Sequence, residues 1–208
     1  MQESLSVYKR ISAFRFDLHF PPEITDVPSF AISRFFHQLQ REIERESRMK
    51  ARRHSCRVFY AWAAERKEAA RLHYHVVIFV NKDAYFSWGA YPKQARKGSN
   101  GENPGGMAHC ILRSWSHALN ISSEAVIGSI HFADNGVYYL KRNGPNSAAQ
   151  FAAIFQRSSY LAKAKTKIYG QGHRCFDCSR RVETRDIGLP ACVADNFGCT
   201  TIIHDIGE

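Results

Sequence analysis

Apolar residues along this chain recur with two different periods, and the order in which the periods alternate predicts the fold. Ile11, Phe14, Phe16, Leu18 and Phe20 mostly alternate with polar neighbours and stop at Pro21-Pro22, which predicts a strand over 8–20. Ile32, Phe35, Phe36, Leu39 and Ile43 then return at helical spacing opposite an Arg/Glu-rich face, predicting a long amphipathic helix from about 28 to 53 with Ser29 as its cap. Residues 57–64 read as a second strand. Val76 to Val80 is an unbroken apolar run of the kind buried on both faces of a sheet, so 71–80 reads as a central strand in a hairpin with the preceding one.

Residues 81–106, rich in Gly, Pro, Ser, Tyr and Lys, read as a long surface loop, and loops of that length are usually functional or disordered. Met107, Ile111, Leu112, Trp115 and Leu119 mark a further helix, and a strand follows over 126–132. Asp134-Asn135-Gly136 reads as a break before a short apolar segment, 137–140. Phe151, Phe155 and Leu161 mark a last helix over 146–167. The order is β-α-β-β-α-β: an α+β, ferredoxin-like palm with a central antiparallel sheet, followed by a C-terminal helix. The expected division is one domain over 1–168 and a tail over 169–208, basic and cysteine-containing at its start.

Composition narrows the partners. The chain carries 29 Lys/Arg against 19 Asp/Glu, a formal net charge of +10, which favours a polyanion, nucleic acid first. From Arg157 to Arg181 seven cations face the single acid Asp177. No apolar run reaches the length of a membrane span, and the first residues lack a secretory leader, so a cytoplasmic location and no membrane partner are expected. Cys56 and Cys110 fall in patterned segments and read as small core residues. His173, Cys175, Cys178, Cys192, Cys199 and His204 offer thiolates and imidazoles that suit zinc, but the spacing fits no common finger.

Two short motifs carry chemistry. His73 and His75 flank Tyr74 on the central strand, so both imidazoles project from one face and can hold a divalent metal; the plainer alternative is a pair of polar histidines bonded to their neighbours. Downstream, Tyr160 and Lys163 lie one turn apart on the last helix, beside Lys165 and Lys167, where a phenol can act as nucleophile and an ammonium can balance phosphate charge. Tyr138-Tyr139-Leu140-Lys141 fits the same Y-x-x-K spacing, close to Asn143-Gly144-Pro145, which rules out a long helix there.

With its His-hydrophobic-His strand and Y-x-x-K helix, the chain resembles the HUH endonucleases. Three stretches, 15–21, 74–81 and 159–167, are similar to the inovirus-type gene-II replication proteins of phages and prophages. The resemblance covers about 8–181 and is concentrated at the two motifs. It implies a metal-dependent DNA endonuclease and strand transferase that initiates rolling-circle replication. His73 and His75 would bind Mg²⁺ or Mn²⁺, with a carboxylate of the adjacent hairpin strand as third ligand: Glu65, or failing it Glu68. Tyr160 would attack the scissile phosphate to give a 5′-phosphotyrosyl link and a free 3′-hydroxyl, Lys163 would orient the phosphate, and Tyr138 or Tyr139 could serve as a second nucleophile.

The implied partner is a single-stranded or hairpin DNA origin in a bacterial host cell. No G-x-x-x-x-G-K-[ST] occurs, so unwinding and synthesis fall to a host helicase and polymerase. Within 81–106, Tyr85, Phe86, Trp88 and Tyr91 among Lys93, Arg96 and Lys97 suit stacking and phosphate contact on single-stranded DNA, though the same aromatics can pack. Asp17 and His19, on the first strand, are placed to approach the histidine pair, with plain packing the simpler role for His19. The rival functions are a non-enzymatic DNA-binding regulator on the same fold, a histidine-dependent phosphoesterase without a covalent intermediate, and a zinc-bound interaction module built on the tail.

Overall fold

The computed structural model describes residues 1–66, 71–90, 105–159, 161 and 175–179. They build one antiparallel sheet with helices on both faces. In chain order the elements are α1 (Gln2–Val7), β1 (Arg10–His19), α2 (Ala31–Met49), β2 (Phe59–Glu65), β3 (His73–Asn81), α3 (Met107–Leu119), β4 (Ile130–Lys141), α4 (Ser147–Ser159) and β5 (Phe176–Cys178). The strand order β4-β1-β3-β2-β5 contains the ferredoxin-like arrangement in its first four members, with α2 and α3 as the two crossover helices. Among the described residues no helix is long and apolar enough to cross a membrane.

Strand alternation divides the core in two. Phe14, Phe16 and Leu18 of β1, Trp62 of β2 and Tyr74, Val76, Ile78 and Val80 of β3 face α2 and α3, meeting Phe35, Leu39, Ile43, Met107, Ile111 and Trp115. The opposite face carries a smaller apolar cluster at one end only: Ile11, Ala13, Phe59, Ala63, Val77, Phe79 and Leu140, covered by Leu5 and Tyr8 from the N-terminal segment and by Ile154 and Leu161. The other end of that face is polar.

Three features differ from the sequence expectation. Residues 130–132 and 137–140 belong to one continuous strand, Ile130–Lys141, because the apparent turn between them is a bulge, and 126–129 precede it. Where β1 advances from Phe14 to Phe16, β4 runs back from Val137 to Phe132, leaving Arg15 outside the β1–β4 ladder. Gly136 is needed there, since a Cβ would lie 2.7 Å from the Arg15 carbonyl oxygen and 2.6 Å from that of Ala133. β5 pairs with β2 through Trp62 and Asp177, so the sheet extends into the segment read as a tail. α1, too short to show a period, went unpredicted. Of the last helix, expected over 146–167, Ser147–Ser159 is helical as expected, and 160 and 162–167 lie outside the described residues.

The long connection after β3 is anchored at both ends by one carboxylate. Glu46 of α2 accepts hydrogen bonds from the Tyr85 hydroxyl (3.0 Å) and the Gly106 N–H (2.9 Å), and it pairs with Lys50 and Arg52. Burial opposes its charge, but Lys50, Cys110, the Gly106 N–H and Tyr85 outweigh that and hold its carboxyl down to about 2. Cys56 and Cys110 are buried in the same helix-side core.

Gly136→Ala is expected to cost about 1–3 kcal/mol in urea unfolding, because the backbone of the bulge must move to admit a methyl group. Glu46→Gln is expected to cost a similar amount at pH 7 through partners left unsatisfied. Glu46 titrates lower when folded than unfolded, so its contribution is full above pH 4.5 and fades as pH falls toward 2. The stability gap between the unaltered chain and Glu46→Gln should therefore narrow between pH 5 and pH 3; a gap independent of pH would refute the ionised state of Glu46.

Candidate metal centre

The polar end of the open sheet face is assembled by strand register. On β3, His73 and His75 point to that face while Tyr74 turns into the helix-side core. Antiparallel pairing sets Glu65 of β2 opposite His73 and Ala63 opposite His75. On the other flank, β1 sets His19 opposite His73 and Asp17 opposite His75, and β4 sets His131 opposite Asp17. Six ionisable side chains from four strands thus share one patch. Ala63, small and buried, leaves room for the His75 ring.

Glu65, His73 and His75 each offer a ligand atom within 4.8 Å of the others. His75 Nε2 lies 3.0 Å from Glu65 Oε2 and 3.3 Å from His73 Nε2. Glu65 and His73 are buried, whereas His19 and His131 at the rim are exposed, so the patch is open on one side. Two imidazole nitrogens that close to each other and to a carboxylate need a ring proton or a cation between them. Two nitrogens and one oxygen with an open side suit a divalent metal that keeps further sites for water or substrate oxygen.

A second set of contacts surrounds these three. His75 Nδ1 lies 2.6 Å from Asp17 Oδ1, and Arg15 forms an ion pair with that same carboxylate. The Arg15 guanidinium also lies 2.9 Å from His75 Nδ1 and donates to the Phe16 carbonyl at 2.8 Å. His131 Nδ1 lies 3.4 Å from Asp17 Oδ2, and the His19 ring stacks on His73 with centroids 5.0 Å apart and planes inclined by 12°.

The charges follow. Burial disfavours ionised Asp17, but the hydrogen bond from His75 and the Arg15 guanidinium prevail and hold its carboxyl well below the usual range. For His75, burial is outweighed by the bond and charge of Asp17 and then by Glu65, so the imidazole is held above its ordinary value. Burial, then the neighbouring His75, pushes His73 down, and burial with His73 does the same to His19.

Tyr160, Lys163, Lys165, Lys167, Arg96, Lys97 and Glu68 lie outside the described residues, as do His173, Cys192, Cys199 and His204. Leu161 is described, and it is buried in the apolar cluster of the same open face. Trp88 does not stand free: its ring packs 4.8 Å from Phe14 and 4.7 Å from Phe132, because the close approach of Gly89 to Gly106 turns the start of the connection inward. Tyr85 is buried, and Phe86 alone of the described loop aromatics is exposed.

Tyr138 pairs with Ala13, four residues along β1 from Asp17 and hence about 13 Å from the patch. Tyr139 pairs with Ser12, whose side chain is turned away from the patch, and its hydroxyl donates to the Phe86 carbonyl. Arg15 and His131 were missed from sequence. Nothing local marks either, since each reaches the patch only through the β1–β3 and β1–β4 pairings.

Comparison with known proteins places the chain. The profile of the YagK/YfjJ C-terminal domain matches residues 1–179. The chain belongs to that family. It is similar to YagK of Escherichia coli (strain K12), 31% identical over 186 residues that cover 83% of this chain and 85% of the relative. It is also similar to YfjJ of the same organism, 30% identical over 196 residues that cover 86% and 89%. Both relatives are described as uncharacterized. No solved structure matches the chain significantly.

Titration of the chain with Mn²⁺ in a calorimeter is expected to saturate at one site. His73→Ala and Glu65→Ala should each weaken binding at least about 100-fold, as removal of one of three protein ligands does. Retention of affinity in both variants would mean that the cation sits elsewhere.

Proposed function

We propose that this chain is a metal-dependent DNA nicking and strand-transfer enzyme of the HUH type, acting as a rolling-circle initiator at a single-stranded or hairpin origin. One observation carries the reading: Glu65, His73 and His75 converge on the open face of a ferredoxin-like sheet, and the chain at Leu161, next to Tyr160, docks on that same face. A net charge of +10 suits a DNA substrate. The gene-II resemblance supplies the roles of Tyr160 and Lys163.

Glu65, His73 and His75 would hold Mg²⁺ or Mn²⁺, and a cation so placed supplies Lewis-acid polarisation of the scissile phosphate. The protein's own residues do the rest. The Tyr160 hydroxyl attacks phosphorus and gives up its proton. The bond from phosphorus to the 3′-oxygen breaks, and that oxygen takes up a proton to become a free 3′-hydroxyl. The 5′-phosphate stays on Tyr160 as a phosphodiester, so the link can be reversed when another 3′-hydroxyl attacks it. Lys163 orients the phosphate and balances its charge. Unwinding and extension from the 3′-hydroxyl fall to a host helicase and polymerase.

The test is covalent trapping. The chain is incubated with hairpin-containing single-stranded DNA and Mn²⁺ or Mg²⁺, then separated under denaturing conditions. An adduct is expected with the unaltered chain, absent in Tyr160→Phe and in His73→Ala, and retained in Tyr138→Phe. Cleavage without an adduct would favour a histidine-dependent phosphoesterase. Tight DNA binding with neither cleavage nor adduct would favour a non-enzymatic regulator.

A further inference from the structure

Asp17 sits where a metal-bound imidazole would need a partner behind it. Its carboxylate is on β1, directly across the ladder from His75, and lies 2.6 Å from the ring nitrogen that points away from Glu65 and His73. We propose that Asp17 is a positioning residue: it fixes the ring orientation of His75 and keeps the proton on Nδ1, so that Nε2 presents its lone pair to a divalent cation. Arg15 in turn holds Asp17 in place. The inference rests on the metal-site reading of Glu65, His73 and His75.

The geometry bears on one choice. His75 Nδ1 has two neighbours with opposite demands, the Asp17 carboxylate at 2.6 Å, which can only accept, and the Arg15 guanidinium at 2.9 Å, which can only donate. If Arg15 donated to Nδ1, the ring proton would move to Nε2, facing the other two ligands, and the site would be blocked. Asp17 is the nearer of the two, and Arg15 is already engaged by the same Oδ1 and by the Phe16 carbonyl. The guanidinium therefore pins the carboxylate, and the carboxylate sets the tautomer. A carboxylate behind a ligating imidazole also raises its basicity and restrains its rotation.

The fold puts unusual effort into this arrangement. Arg15 lies where the β1–β4 ladder skips, opposite the bulge that closes over Gly136. A bulge is a means of re-aiming a side chain, and here Arg15 is buried with its charge against Asp17. An ordinary surface ion pair would need neither the burial nor the bulge. The other oxygen of Asp17 faces the exposed His131, so the carboxylate is bracketed on both sides and has little freedom to turn.

Asp17→Asn separates this role from mere packing, because an amide can present its NH₂ to Nδ1 and stabilise the wrong tautomer while filling the same space. Mn²⁺ affinity of the full chain would be measured by calorimetry. The His75 nitrogens would be followed by ¹⁵N NMR of the Mg²⁺-saturated chain, with a His75→Gln spectrum for assignment. The unaltered chain should show Nδ1 protonated and Nε2 bare. Asp17→Asn should lose about 10- to 100-fold in affinity, with the His75 nitrogen shifts altered. Unchanged affinity and unchanged shifts in Asp17→Asn would overturn the inference and leave the metal site standing. Absence of Mn²⁺ binding by the unaltered chain would overturn the metal reading and this inference with it. Should Asp17→Asn fail to fold, Arg15→Gln keeps the carboxylate and is expected to weaken Mn²⁺ binding less than tenfold with partial loss of the Nδ1–H signature; no change in either would count against the relay.

Discussion

A slip of β3 by one residue against β1 and β2 would carry His73 and His75 into the helix-side core and bring Tyr74 and Val76 onto the open face. Strand alternation allows nothing between these outcomes, because every side chain changes face together. What holds the register is the apolar set on the helix side: Tyr74, Val76, Ile78 and Val80 are buried against α2 and α3, and none could be exchanged for an imidazole without burying a polar group among Phe35, Leu39 and Trp115. The polar patch is thus specified from behind. The core that reads the even positions of β3 fixes the odd ones, and the neighbouring strands, held by the same core, bring Glu65 and Asp17 to the matching positions.

The patch itself is a problem in charge. Two carboxylates stand on either side of His75, and a second imidazole faces it edge-on, with ring planes inclined by 89°. Asp17 is neutralised by Arg15, whose guanidinium is buried beside it, so its charge is spent within β1 and β3. Among the described residues no such cation pairs with Glu65; its partner is His75 Nε2. One carboxylate is thereby committed to holding the ring, and the other is left facing the point where the two Nε2 atoms meet. In the proposed metal site that asymmetry would make the Glu65 side the ligand side and the Asp17 side the supporting one.

How much of this could be read from sequence depended on distance along the chain. The β-α-β-β-α-β order and the shared face of His73 and His75 follow from local periods, and the bounds of α3 at Met107 and Leu119 were visible in its apolar spacing. Glu65 was within reach because its strand is joined to β3 by a short hairpin. Arg15 and His131 were not, because they meet the patch only after β1 and β4 have paired across long separations. Asp134-Asn135-Gly136 has the composition of a turn, and turn residues are also what a bulge needs, so local reasoning split one strand into two. Trp88 stood among polar loop residues, and only the core shows that Phe14 and Phe132 claim its ring.

The open face also limits where a nucleophile can come from. Its far half is filled by Ile11, Phe59, Val77, Phe79 and Leu140 beneath α1 and α4, which leaves Tyr138 at the apolar end, several residues along the sheet from His75. Tyr139 is on the other face of the sheet, its hydroxyl bonded to Phe86. Tyr74, one residue from each ligand, is turned into the helix-side core, where burial lifts its phenol to about 12. No tyrosine carried by the described strands can therefore present its oxygen to the patch. In the proposed reaction the attacking group comes from above the sheet, and Leu161, two residues beyond the end of α4 at Ser159, is buried on that open face. The apolar half of the face thus also seats the residue that follows Tyr160 in the chain.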